Sequence, residues 1–264
     1  MDNIFLIKLI ISFFIGALWV IVATLSADKF GPKIGGLISG LPSTVMFGLF
    51  FLGWTQTPLS SVQATTIIPI VGGINCLFLL SCVYFVRKNI SFALIISLIL
   101  WAVLSFVLVL IKFNNYATSL FGYTSLLLIS FYVMENVLKI RSISGKKITY
   151  TPILILIRGL IGGFVIAFSV FIGKIGGPVL GGIFSMFPAM FISTILVTYY
   201  SQGALFSSAT MKSSMLSGIS IVLYSVIVRY SYLPLGLLWG TAISIFISFL
   251  CGYFVYRYVL LKLK

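Results

Sequence analysis

The sequence predicts an all-α polytopic membrane protein of about nine transmembrane helices, built as an inverted-topology internal repeat of 4+4 helices plus a connecting helix. Three observations carry this expectation. First, 61% of the 264 residues are hydrophobic and only 8% are charged. Runs at 4–27, 92–111 and 235–256 reach the roughly 20 apolar residues that cross a bilayer. Second, "GPKIGGLISGLPS" at 31–43 returns as "GPVLGGIFSMFPA" at 177–189, an offset of 146 residues. Third, the basic residues sit at the ends of the apolar runs, as cytoplasm-facing charge does in membrane proteins.

The spans fall near 4–27, 34–53, 61–86, 90–111, 116–138, 152–173, 180–199, 209–230 and 235–258. The first is too long for the apolar core of a cleaved signal and is echoed around 153–173, so it belongs to the fold. At the offset of 146, Gly16 matches Gly162, Gln56 matches Gln202, Ser61 matches Ser207, Gly72 matches Gly218 and Tyr84 matches Tyr230, without a gap. The first four spans thus correspond to the last four, and the fifth is an unpaired connector. An odd number of spans separates equivalents, so the second copy is upside down, a recurring plan of secondary transporters. The organisation is 1–138 for the first repeat plus connector, 139–151 for a basic cytoplasmic loop, and 152–264 for the second, inverted repeat.

Nine spans place the termini on opposite sides. Lys29, Lys33, Arg87, Lys88, Lys139, Arg141, Lys146, Lys147, Lys212, Arg257, Lys262 and Lys264 then share a side with the C-terminus, against Lys8, Lys112, Lys174 and Arg229. The asymmetry puts the C-terminus in the cytoplasm and the N-terminus outside, in what reads as a prokaryotic cytoplasmic membrane. The net charge of +14 is spread over span ends rather than along one stripe. It fits a bilayer with anionic lipids at its cytoplasmic face and not a nucleic acid.

The candidate site lies at the duplicated breaks. Pro42 and Pro188 fall inside their spans, where each removes a backbone donor and frees carbonyls. Ser39, Ser43, Thr44 and Ser185 add hydroxyls beside them. A broken helix with exposed carbonyls at mid-depth is a substrate-binding arrangement. Packing is the competing reading, because small residues spaced as Gly36 and Gly40 also serve helix crossings. Gln56 and Gln202, at the far ends of the same helices, read as gating residues or interfacial hydrogen-bonding groups. Tyr84 and Tyr230 read as interfacial anchors.

Glu135 lies about one turn inside the cytoplasmic end of the fifth span and Arg158 about two turns inside that of the sixth, and an intramembrane charge is costly unless paired or functional. The economical expectation is a Glu135–Arg158 ion pair. The functional variant has Arg158 bind an anionic substrate while Glu135 takes a coupling proton, and snorkelling to the head groups is the third reading.

Absences limit the chemistry. The chain has no His. "LISG" at 37–40 resembles the serine motif of intramembrane serine proteases but has no base beside it. Asp2 and Asp28 cannot form an intramembrane carboxylate pair. Cys76, Cys82 and Cys251 show no ligand spacing. No catalytic residue, metal or cofactor is therefore expected, and the chain does not read as an enzyme. The general plan resembles small two-repeat transporters of prokaryotic membranes. The expectation is a secondary-type transporter moving a small anionic or polar solute by alternating access. Alternatives are a flippase for a phosphate-bearing lipid and a non-transporting scaffold or subunit; oligomeric state is not legible.

Overall fold

The computed structural model describes residues 2–29, 43–141 and 150–262. Among them there are helices and no strand. Six stretches are long and apolar enough to cross a membrane: Asn3–Leu25, Ile68–Phe85, Ile90–Leu110, Tyr116–Val137, Pro152–Gly176 and Pro178–Val255, the last bent at several points. In order, the helices are α1 (Asn3–Lys29), α2 (Ser43–Thr55), α3 (Pro58–Ala64), α4 (Ile68–Phe85), α5 (Ile90–Leu110), α6 (Tyr116–Val137), α7 (Pro152–Gly176), α8 (Pro178–Ser185), α9 (189–202), α10 (204–235) and α11 (237–262).

The radial distribution of side chains suits a bilayer. Phe14, Phe106, Phe121, Phe164 and Phe246 are exposed, while Ser12, Ser97, Ser119, Ser169, Ser207, Ser220 and Ser244 are buried. Large apolar groups lose nothing against lipid tails. Small hydroxyl residues let helices approach and return their hydrogen bonds to a carbonyl one turn back, as Ser169 does to Ile166 (2.8 Å) and Ser244 to Gly240 (2.7 Å).

The closest approach is between α1 and α7. A Cβ on Gly163 would lie 2.5 Å from the Phe13 carbonyl oxygen, and one on Gly159 would lie 3.1 Å from that of Ala17. A Cβ on Gly16 would strike Ile166 at 2.5 Å, and one on Gly162 would strike Val20 at 2.6 Å. As residue numbers rise along α1 the contacted numbers on α7 fall, so the two helices run antiparallel.

Several boundaries differ from those read in the sequence. The expected span 61–86 is two helices: Thr65 N still bonds Ser61 O, but Thr66 and Ile67 turn by i→i−3 bonds to Gln63 O and Ala64 O between α3 and α4. Pro69, which cannot donate to Thr65, sits just past that turn. The equivalent position in the second half is Met215, and α10 runs through it unbroken. The expected connection 200–208 is a corner at Gly203 (φ 84°, ψ 177°), and Gly236 (φ 75°, ψ 174°) makes another. That backbone region is essentially closed to residues with a Cβ, so one glycine replaces a loop. Thr57 and Asn89 do the corresponding work in the first half with ordinary extended backbone, and their side chains accept from Ser60 N and Phe92 N. The connector α6 ends in a π-helical turn over Val133–Val137, which carries Glu135. The expected span 34–53 is described only over α2; its earlier part lies outside the described residues.

Two glycine substitutions separate close approach from mere presence in a helix. Gly163→Ala should destabilise by about 1–3 kcal/mol, because the obstructing atom is backbone. Gly218→Ala, which would meet only the Tyr123 hydroxyl at 3.9 Å, should be neutral or slightly stabilising. Thermal unfolding of the two purified variants compares them; equal melting temperatures would reject the α1–α7 crossing.

Candidate functional site

Between α8 and α9 the chain leaves helical geometry around Pro188, which is buried. Met186 N bonds to Ile183 O (3.1 Å) and Phe187 N to Phe184 O (3.1 Å), a tightened last turn, before α9 restarts with Ile192 N on Pro188 O (2.9 Å). Proline forces this, since it has no N–H to give to Phe184 and its ring clashes with that carbonyl. The Met186 carbonyl is taken by Asn75 Nδ2 of α4 at 2.9 Å. Asn75 is 5% exposed, and its Oδ1 has no protein partner.

Two more buried polar atoms near this break lack partners. The Trp101 ring of α5 stands edge-on to Phe187 (centroids 5.2 Å apart), and its Nε1 is unpaired. Tyr123 of α6 packs beside Gly72, as does Met186, and its hydroxyl is also unpaired. An unmatched amide oxygen, indole N–H and phenol in a dry interior are costly. They give the unwound segment a neutral, polar lining.

The breaks and hydroxyls named from the sequence divide. Ser39 and Pro42 lie outside the described residues. Ser43 and Thr44 open α2 and are half-buried. Ser185 is buried at the end of α8, bonds its own helix at Gly182 O (2.8 Å), and packs on Gly48 of α2. Gln56 ends beside Gly173 with its Nε2 buried and unpaired, while Gln202 is the last residue of α9 before the Gly203 corner.

The expected Glu135–Arg158 pair is replaced by a different pairing. Glu135 forms its ion pair with Lys212 of α10. The Lys212 ammonium also donates to Ile140 O (2.6 Å) and lies 5.7 Å from the centre of the Phe131 ring. Lys212, counted above among surface charges, is 3% exposed. Arg158 instead reaches α9, where Nη1 donates to Ser193 Oγ (3.0 Å) and Thr194 Oγ1 (3.5 Å), with the Tyr150 ring 5.4 Å from its guanidinium carbon. Arg158 is 8% exposed, no described carboxylate pairs with it, and its Nε has no acceptor. The reason is geometric: Arg158 and Glu135 are close in order of helices, but α7 packs on α1 and α9, whereas the end of α6 packs on α4 and α10.

Arg229 makes a third cationic cluster, at the other end of α6. Its Nη1 donates to Thr66 Oγ1 (3.1 Å), Thr65 Oγ1 (3.3 Å) and Val62 O (3.3 Å) across the α3–α4 turn, and its guanidinium lies 4.1 Å from the Tyr116 ring centre. Between α9 and α10 runs a narrow crevice, closed in this structure and too tight to admit a water. It is lined by Leu79, Phe191, Ile195 and Met211 and by the hydroxyls of Thr194, Thr198, Thr210 and Ser214. Among the described residues no group of His, Cys, Asp or Glu could hold a metal ion.

Asn75, Trp101, Tyr123 and Lys212 were missed as site residues in the sequence. Two carry a readable signal: Asn75 follows "GGI" inside an apolar run, and Lys212 sits within "SSATMKSSM", a hydroxyl-rich stretch. Trp101 and Tyr123 look like any interfacial aromatic until packing places them.

Residues 9–114 match a family model described as "Protein of unknown function (DUF3147)". The matched stretch starts within α1 and ends shortly after α5. No curated protein matches the chain, and no solved structure does.

The Lys212–Glu135 pair can be tested by a double-mutant cycle. Glu135→Gln should cost about 3 kcal/mol, the low end for a broken buried pair because Glu135 is 38% exposed and already partly hydrated. Lys212→Met should cost less, since the freed carboxylate can take up water. The double variant should recover most of the loss, whereas simple additivity would reject the pair.

Proposed function

We propose that this protein is a secondary-type transporter that moves a small anionic or polar solute by alternating access between two inverted four-helix halves. In this reading α1 to α5 form one half of four spans, with α3 and α4 sharing one, α7 to α11 form the other, with α8 and α9 sharing one, and α6 connects them. The reciprocal contacts of α1 and α7 carry the proposal. Gly16 meets Ile166 and Gly162 meets Val20; each pair becomes the other when 146 is added to one number and subtracted from the other. An axis along the membrane normal would set equivalent residues side by side in parallel helices. An antiparallel, self-reciprocal crossing fits a pseudo-two-fold axis in the membrane plane.

Further observations support it. Ser61 Oγ donates to Leu49 O (2.5 Å) and Ser207 Oγ to Ile195 O (3.3 Å), the same bond at the same offset. The family match ends before the connector, as a unit made of one half would. With Lys212 and Arg229 assigned to the interior, the remaining basic residues still lie overwhelmingly on the side of the C-terminus, which supports a cytoplasmic C-terminus and an external N-terminus. The interior offers hydroxyls, carbonyls and a guanidinium rather than a reactive nucleophile with its base, which favours translocation over chemistry on the solute.

Alternating access is tested by cysteine accessibility in a background without Cys76, Cys82 and Cys251. Single cysteines at Ser43, Ser185 and Ala189 should react with a membrane-impermeant maleimide from either side, with the preferred side changing under an imposed ion gradient. Complete protection under every condition would make the breaks packing features and defeat the transport reading.

A further inference from the structure

We propose that Arg158, Ser193 and Thr194 form the binding site for a small monocarboxylate, with the crevice between α9 and α10 receiving its short apolar body. The proposal rests on the transport reading and narrows it to a solute class. Arg158 is the observation from which it starts. A guanidinium 8% exposed, two turns inside its helix, has two hydroxyls and an aromatic face as neighbours and no described carboxylate in an ion pair. Hydroxyls orient it without neutralising it. A buried unpaired cation persists where its counter-ion comes from outside the chain.

The class follows from shape and charge. Guanidinium donors form a planar fork that matches the two oxygens of a planar oxyanion. Nη1 is occupied by Ser193 and Thr194, while Nε is buried with no acceptor, which leaves the Nε edge for the incoming carboxylate. One cation calls for one negative charge, because Glu135 already neutralises Lys212. Thr194 belongs both to the Arg158 cluster and to the crevice wall, so the two spaces adjoin. Beyond Thr194 the crevice has apolar walls with three further hydroxyls and no charged group. That lining suits a short alkyl or hydroxyalkyl tail and penalises a second charge.

In this structure the crevice is closed, and Thr198 Oγ1 donates to Ser207 Oγ (3.1 Å) across it. Entry requires α9 and α10 to part, and the Gly203 corner that joins them has open space where a Cβ would sit. The equivalents of Arg158, Ser193 and Thr194 in the first half are Ser12, Phe47 and Gly48, so only the second half carries the charge.

The test uses full-length protein in non-ionic detergent, with thermal unfolding in sodium propionate or sodium lactate against sodium chloride at equal ionic strength. Saturable stabilisation by the carboxylates is expected. Arg158→Gln should abolish it, and Arg158→Lys, which keeps the charge and loses the fork, should weaken apparent affinity about tenfold. Thr194→Val should weaken it several-fold and, with Arg158→Lys, carries the comparison if Arg158→Gln is not monodisperse. No response in the wild type, or an equal response in these variants, overturns the site. Stabilisation by inorganic phosphate or phosphatidylglycerol micelles without a carboxylate response overturns the carboxylate assignment, and the two arms separate free anion from lipid head group. Counterflow of labelled propionate in proteoliposomes distinguishes the two levels. Saturable binding without uptake leaves the site standing and defeats the transport reading, whereas uptake undiminished by Arg158→Gln defeats the site and leaves transport intact.

Discussion

Helices α1 and α7 touch at a separation that only small residues allow, and the arrangement of the other helices depends on that crossing. In lipid no hydrophobic force drives helices together, since the tails are as apolar as leucine; contact must come from backbone approaching backbone. Gly159, Gly162 and Gly163 on one side, with Gly16 and Ala17 on the other, provide it. Once α7 lies along α1, α2 is held against both, and α8 packs back on α7 through Gly173 and Gly181. That carries the chain to the Pro188 break at the centre of the molecule.

A second constraint is the shortage of acids. The sequence has 17 basic residues and 3 acidic ones, so carboxylate partners for cations inside the protein are scarce. Three solutions coexist. Lys212 takes the interior's carboxylate, Glu135. Arg229 spreads over the carbonyl and hydroxyls of the α3–α4 turn and the face of Tyr116. Arg158 has hydroxyls and an aromatic ring but no counter-ion among the described residues. The first two sit at opposite ends of α6, where they tie it to α10 and to the α3–α4 turn. The third bonds Ser193 and Thr194 beyond the Pro188 break, and the lack of a described carboxylate beside it distinguishes it from the structural pair.

The remaining polar content is hydroxyl, and most of it is spent locally. Serines and threonines return their hydrogen to a carbonyl three or four residues back, as Thr24 and Ser225 do. Such bonds satisfy the side chain without committing a partner helix. Long-range bonds are few by comparison: Asn75 to Met186, Arg158 to Ser193, Lys212 to Ile140, Arg229 to the α3–α4 turn, Ser119 Oγ to Ile70 N, and Ser61 and Ser207 within their own halves. They cluster where helices are interrupted, because a broken helix is where a bilayer protein has free backbone groups to bond.

The sequence by itself determined the all-helical, membrane-spanning class and the gapless offset, because length and hydropathy are set by bilayer thickness and do not depend on partners. It also placed Pro188 as a break, since a missing donor interrupts a helix wherever it lies. Tertiary structure decided what each charge meets. Glu135 and Arg158 are near in chain order yet belong to different contacts, and Lys212 is written like a loop charge but lies in the interior. It also decided that Gly203 and Gly236 replace loops and that Asn75 caps Met186. These depend on which helix faces which across more than a hundred residues. One-dimensional hydropathy cannot express that, because in an all-apolar helix no amphipathic stripe marks the inner face.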